Sequence, residues 1–170
     1  AQAVNIALAL SVEYPTAGAA YRSTSYDHTQ EYLGYWDTQS CYEYFDSTDS
    51  SPLNGQYFRR TGAVDSNKYC NTSGAGTGYS GNVLNYAATS SVDLLRFALT
   101  GVDRTLDSTT KTVLGRTYLP SNFNGIRNAS HFPQKQVDST LVGKVTPPFK
   151  TPGATTNYNG IVYFNSCNDL

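Results

Sequence analysis

The chain has 170 residues, with 12 Lys+Arg against 13 Asp+Glu and a formal charge of −1. One domain of ordinary size is expected at that length, and the near-neutral balance excludes a global field that draws in nucleic acid or an anionic membrane. Charged residues are only 15%, while 14 Tyr, 7 Phe and 1 Trp supply a heavy aromatic load, which excludes a disordered tail, and no apolar run is long enough for a transmembrane segment.

With so little charge, the polar surface has to come from Ser, Thr, Asn and Tyr. Together with the cysteines, that composition points to an exported protein. The opening Ala1-Gln2-Ala3 resembles what a signal peptidase leaves behind. The expectation is a single exported domain over residues 1–170, whole or as the N-terminal fragment of a longer protein. Of the three cysteines, Cys41, Cys70 and Cys167, at least one is unpaired within the chain. Three single-bridge pairings are open. The shortest closure, Cys41–Cys70, is favoured because it closes the Gly- and Asn-rich loop between them; three reduced, buried thiols are the bland alternative.

In chain order, Val4–Val12 is the clearest period-two segment. Val4, Ile6, Leu8, Leu10 and Val12 fall on one face and small residues on the other, as in a strand inside a sheet, and Pro15 ends it. Tyr32–Trp36 and Cys41–Phe45 read as short aromatic strands or turns, Gln56–Arg60 as a further strand, and Asn71–Gly78 as a loop. The periodicity of Leu84, Ala87, Ala88, Val92, Leu95, Ala98 and Leu99 predicts one helix from about Ser80 to Thr100. Asn82 or Ser80 is its candidate cap, Gly101 its C′ residue, and Asp93 pairs with Arg96 at i,i+3. A helical turn is expected over Thr110–Leu119, and short strands over Leu141–Val145 and Ile161–Asn165. Thr146–Gly153 is a stiff, extended connector.

Few constellations offer chemistry. Gly74–Gly81 precedes a helix, as phosphate loops do, but lacks a preceding strand and a following Gly-Lys-Ser/Thr, so a bulged turn is favoured over a nucleotide site. His28 and His131 lack the setting of a nucleophilic triad and read as structural. No zinc spacing occurs, and the oxygen-rich Asp46–Asp49 and Asp65–Asn67 read as solvated turns rather than calcium loops. No catalytic residue, metal or cofactor is expected. Asn71-Thr-Ser73 and Asn128-Ala-Ser130 match the N-glycosylation sequon. The tyrosines are the most suggestive feature: each packs well in a strand, and a cluster suits a binding face.

Tyr32-Leu-Gly-Tyr-Trp-Asp37 leading to Cys41-Tyr-Glu-Tyr44 resembles the Y-L-G-Y-F-D…C-Y-x-Y stretch of PilC/PilY-type type IV pilus tip proteins of bacteria. Tyr79-Ser-Gly-Asn-Val-Leu-Asn-Tyr-Ala-Ala88 with Val92-Asp-Leu-Leu-Arg96 is similar to their W-S-G-N-F-L-N-W-A…I-D-x-x-R block, and Thr112–Pro120 to their T-V-L-x-R-x-x-x-P segment. The resemblance covers residues 5–120. It implies an α/β (or α+β) fold with a von Willebrand factor A-like sheet, one main amphipathic helix and long Tyr/Ser/Thr/Asn-rich insertions. It also implies a surface protein of pilus assembly and adhesion. The D-x-S-x-S metal sequence of such domains is replaced by Ser11–Pro15, so no adhesion-site metal is expected.

The expected function is therefore a non-enzymatic, pilus-associated adhesin or assembly module at the cell surface. Its partners would be pilin, other pilus components or a surface receptor. The candidate binding residues are Val4, Ile6, Leu8, Leu10, Tyr32, Tyr35, Trp36, Tyr42, Tyr44, Tyr57 and Tyr79. The alternative is a filament subunit that associates with copies of itself through its N-terminal strand. A hydrolase is the third reading, held low for want of a nucleophile–base pair.

Overall fold

The computed structural model describes residues 16–47, 55–115 and 128–165. The predicted strand Val4–Val12, the Asp46–Asp49 turn beyond its strand residues, and Cys167 lie outside the described residues or their side chains. The fold is a small mixed α/β domain with three short sheets and three helices among the described residues. Strand β1 (Ser40–Ser47) pairs antiparallel with β2 (Gly55–Ala63) on one side and with the two-residue β3 (Tyr79–Ser80) on the other. Helix α1 (Gly81–Ala88) follows directly, then α2 (Ser91–Thr100). Strands β4 (Asp103–Asp107) and β5 (Thr112–Gly115) form a hairpin. Strand β6 (Lys135–Val137) leads into α3 (Ser139–Val145) and pairs antiparallel with β7 (Val162–Phe164). Among the described residues, these ladders do not by themselves show the von Willebrand factor A-like sheet that the resemblance implies.

The single helix expected over Ser80–Thr100 is two helices. Ser90 caps α2: its hydroxyl accepts from Asp93 N–H at 3.2 Å, while the Asp93 carboxylate takes the Ser90 N–H and O–H at 3.0 and 2.6 Å. This capping box satisfies donors that a continuous helix would point at carbonyls of the preceding turn. The segment 16–20 completes the break, because Ser91 and Val92 donate to the carbonyls of Gly18 and Thr16, and Ala20 donates to that of Thr89. Asp93 is thus consumed at the helix start, and Arg96 forms its ion pair with Asp103. Gly101 closes α2 in the left-handed region, as predicted.

Two further expectations are corrected. Thr112–Gly115 is a strand, not a helical turn: Ser108 and Lys111 close a tight turn through Ser108 N–H to Lys111 C=O at 2.9 Å, returning the chain beside β4. Leu141–Val145 is helical, not extended. Asp138 accepts from Thr140 N–H at 2.9 Å as an N-cap, and Val142 and Val145, three apart, both enter the core. The predicted strands at Cys41–Phe45, Gln56–Arg60 and Ile161–Asn165 are β1, β2 and β7, and 71–78 is a loop.

The core gathers Tyr26, Tyr32, Val83, Tyr86, Val137, Val142 and Val145. Three tyrosines at its centre pack with ring centroids 5.1–5.7 Å apart. Burying a phenol is tolerable only if its hydroxyl is satisfied. Asn82 donates to the Tyr26 hydroxyl at 3.0 Å, Asp27 N–H to that of Tyr32 at 3.3 Å, and the Tyr86 hydroxyl donates to Ser23 C=O at 3.0 Å. Burial pushes the Tyr26 phenol up to about 12 and raises those of Tyr32 and Tyr86. A disulfide joins Cys41 on β1 to Cys70, both fully buried, and pins the following loop to the sheet. Within that loop Asn71 has a left-handed φ of 61°. Its carboxamide donates to the carbonyls of Gly78 (3.0 Å) and Thr146 (2.8 Å) and accepts from Gly78 N–H (2.8 Å).

Candidate functional site

Helix α1 is buried on nearly every side, and two of its buried residues are polar: Asn82 and Asn85, both 0% exposed. They sit one turn apart and grip the aromatic segment 30–36. Asn82 accepts from Tyr32 N–H at 2.8 Å and donates to Gln30 C=O at 2.9 Å as well as to Tyr26. Asn85 accepts from Trp36 N–H at 3.1 Å and donates to the carbonyls of Tyr32 and Trp36 at 2.8 and 2.7 Å. A loop with no sheet partner thereby has its backbone groups met by side chains. The approach is close: a Cβ on Gly34 would lie 2.3 Å from Asn85 Oδ1, and one on Gly81 would lie 2.1 Å from Asp37 C=O. The Tyr32–Asp37 and Tyr79–Ala88 segments are therefore one structural unit.

The clamp sets Trp36 against the sheet. Its ring meets Phe58 edge-on at 5.5 Å, and Phe58 touches Tyr44 at 5.5 Å and Tyr79 at 5.9 Å. Tyr44 and Phe58 are directly opposite in the β1–β2 register, so both point to the same face. Tyr44 is 48% exposed, and Trp36, Phe58 and Tyr79 are half-buried. Tyr35 stacks edge-on with Trp36 at 6.3 Å, and its hydroxyl donates to the buried Asp93 carboxylate at 2.7 Å, tying the loop to the α2 cap. Beside this face, Arg60 donates to Ser40 Oγ at 2.8 Å, and that hydroxyl donates to Asp37 Oδ2 at 2.7 Å. The Ser40 hydroxyl and the Gln39 N–H hold the Asp37 carboxyl below the usual carboxylate range.

The predicted binding residues separate into groups. Trp36, Tyr44 and Tyr79 come together, with Tyr35 at their edge. Tyr32 does not belong to a surface: at 3% exposed it is core, because its backbone is clamped by both asparagines. Tyr42 is half-buried and structural, its hydroxyl accepting from Asp37 N–H at 3.0 Å. Tyr57 lies on the opposite face of the sheet, against Phe45 at 5.4 Å. Val4, Ile6, Leu8 and Leu10 lie outside the described residues.

Phe58, the hub of the aromatic face, escapes the sequence reading even though its strand is found; its register opposite Tyr44 is the missing information. Asn82 and Asn85 escape it too. Their burial comes from α1 being enclosed on nearly every side, which the apolar stripe through Leu84, Ala87 and Ala88 does not announce.

Other sequence candidates are spent on structure. The Asp65 carboxylate closes its own turn, accepting from the N–H groups of Asn67 and Tyr69 and from the Thr72 hydroxyl. The N–H groups of Gly76, Thr77 and Gly78 donate to Ala63 C=O, Thr61 Oγ1 and Asn71 Oδ1. They are directed at the protein rather than outward to a phosphate. His28 Nε2 lies 3.3 Å from the Tyr69 hydroxyl. Lys135 is a buried cation no motif announces: 1% exposed, its ammonium donates to Tyr86 C=O and lies over the rings of Tyr86 (4.7 Å) and Phe132 (5.3 Å). Burial lowers its pKa to about 8.

A small disulfide-bonded α/β domain with a clamped aromatic face is the class of molecule these features define. The chain matches the family model described as "PilY1 homolog, small alpha/beta domain" over residues 23–168, and it belongs to that family. A curated relative is the type IV pilus biogenesis factor PilY1 homolog of Xylella fastidiosa (strain Temecula1 / ATCC 700964). It is 30% identical over 145 residues, which are 84% of this chain and 11% of the relative. The chain thus spans a small part of that relative's length. No solved structure matches the chain. Among the described residues, no helix is long and apolar enough to cross a membrane.

Proposed function

We propose that this domain is a non-enzymatic interaction module of the type IV pilus system, working at the cell surface in pilus assembly and adhesion. The contact surface is the face built by Trp36, Tyr44, Phe58 and Tyr79, and the partner is pilin or another pilus component. The observation that carries this reading is the asparagine clamp. Two fully buried carboxamides are committed to holding one aromatic loop in register against a sheet, and rigid aromatic side chains give large contact area at low entropic cost. Kinship with a pilus biogenesis factor supports the choice of partner.

The test is co-sedimentation of the purified domain with sheared type IV pili. Binding is expected, and Trp36→Ala and Tyr44→Ala are expected to weaken it about tenfold or more while the circular dichroism spectrum is retained. No sedimentation with pili, or sedimentation unchanged in both variants, would overturn the assignment. The same run without pili decides the filament-subunit reading, which requires the domain to pellet alone and to stop doing so when Ala1–Val12 is deleted.

A further inference from the structure

Among the described residues, strand β2 is the outer strand of its sheet, paired with β1 alone. At its far end the loop 71–78 covers it, through Gly76 N–H to Ala63 C=O and Thr77 N–H to Thr61 Oγ1. Between Gln56 and Arg60 no backbone hydrogen bond leaves the β1–β2 ladder toward another described segment. An edge of this length is a template for one more strand unless charge or proline blocks it. Here the charges are all of one sign. Arg59 and Arg60 are both exposed, and adjacent strand residues point to opposite faces, so a cation flanks the edge above and below.

Lys111, exposed at the turn of the β4–β5 hairpin, adds a third cation, its ammonium 5.0 Å from the centre of the Tyr57 ring. Arg59 lies over Phe45 at 4.7 Å, and Arg60 donates to the Ser40 hydroxyl. Arg59 and Lys111 thus meet neutral rings, Arg60 reaches the Asp37 carboxylate only through the Ser40 hydroxyl, and the ion pairs among the described residues are Arg96–Asp103 and Arg104–Asp107. Glu43, opposite Arg59 in the β1–β2 register, accepts from the Thr77 hydroxyl at 2.7 Å, and Asp107 holds Arg104 and Thr112.

We infer that the outer edge of β2 receives an extended acidic polypeptide segment by strand addition, its backbone bonding to Gln56–Arg60 and its carboxylates meeting Arg59, Arg60 and Lys111. Main-chain bonds supply affinity in this mode and the cations select the sequence. The site rests on sheet geometry and charge, not on the pilus reading, and either stands if the other fails.

The test uses the whole chain, ¹⁵N-labelled, and a short capped peptide of alternating Thr and Val with two adjacent Glu at its centre. Saturable binding is expected, with amide shifts concentrated on residues 56–60. N-methylation of alternate peptide nitrogens is expected to weaken binding about tenfold or more. Replacing the two Glu by Lys, or introducing Arg59→Glu with Arg60→Glu in the protein, is expected to weaken it comparably. Absence of saturable binding by the unmodified peptide overturns the proposal, as does equal binding of the N-methylated peptide, which would reduce the site to an unspecific anion patch. The peptide arms use wild-type protein throughout, so they decide the matter even if the double variant fails to fold.

Discussion

Replacing Lys135 by Met tests the energetics of the core most directly. The folded ammonium has a pKa of about 8 against 10.5 for a free lysine, and desolvation by burial is the cause. That difference corresponds to roughly 3 kcal/mol at about 1.36 kcal/mol per pKa unit. The sign follows from proton counting. Below pH 8 both states carry the proton and the folded state bears the full desolvation cost. Between about pH 8 and 10.5 the unfolded chain still binds the proton while the folded chain has released it, so stability rises with pH. The raised phenols of Tyr21, Tyr26, Tyr32, Tyr42, Tyr79 and Tyr86 act the other way as tyrosines of the unfolded chain ionise, about a quarter of them at pH 9.5. Urea unfolding of wild type and Lys135→Met side by side at pH 7.5, 8.5 and 9.5, both with Cys167→Ser to prevent disulfide exchange, isolates the lysine as the difference between them. Wild type should gain about 2 kcal/mol on Lys135→Met across that range, while the variant itself declines as the unfolded phenols ionise. At pH 7.5 the two should lie close together. Met escapes the ion's desolvation cost but leaves the Tyr86 carbonyl without its donor and forfeits the contacts with two rings. A wild type whose stability runs parallel to that of the variant across the three pH values would refute this account of the buried cation.

Asn85→Ala should cost about 3 kcal/mol or more, since it strips partners from two carbonyls and one N–H of the clamped loop. Because Trp36 is the only tryptophan, the loosened loop should show as a red-shifted emission more open to acrylamide quenching. Gly34→Ala should destabilise by about 1–3 kcal/mol in a thermal melt, because its Cβ meets Asn85 Oδ1 at 2.3 Å. In the Asn85→Ala background the same change should cost clearly less, and strict additivity of the pair would speak against the clash. Cys41→Ser with Cys70→Ser opens a closure of 29 positions and should lower unfolding stability by about 3–4 kcal/mol, read from the urea midpoint.

The strands were legible where aromatic and β-branched residues cluster between turn-forming stretches, as at Cys41–Phe45 and Gln56–Arg60. The disulfide was legible as the shortest closure. The helix break at Thr89–Ser90 was not, although Ser90 and Asp93 stand at capping-box spacing. The apolar periodicity runs straight through the cap, and what decides between one helix and two is segment 16–20, which docks its carbonyls there. Leu141–Val145 misled for a related reason: five residues are too few for a period of 3.6 to show, and the cap at Asp138 lies just before them. The site was half legible. Tyrosine content marked the region, but a Tyr at a clamp, in a core and on an open face look alike in one dimension. Registers and hydrogen bonds separate Tyr44 from Tyr32 and Tyr42.

The position of Asn71 bears on how the chain is decorated. Oligosaccharide transfer needs a carboxamide nitrogen presented to an enzyme, and this one is spent on two carbonyls, Gly78 across its own loop and Thr146 after α3. A sugar attached at that sequon would therefore record a modification made before the loop closed. Its presence would cost the domain the bonds that seat residues 71–78.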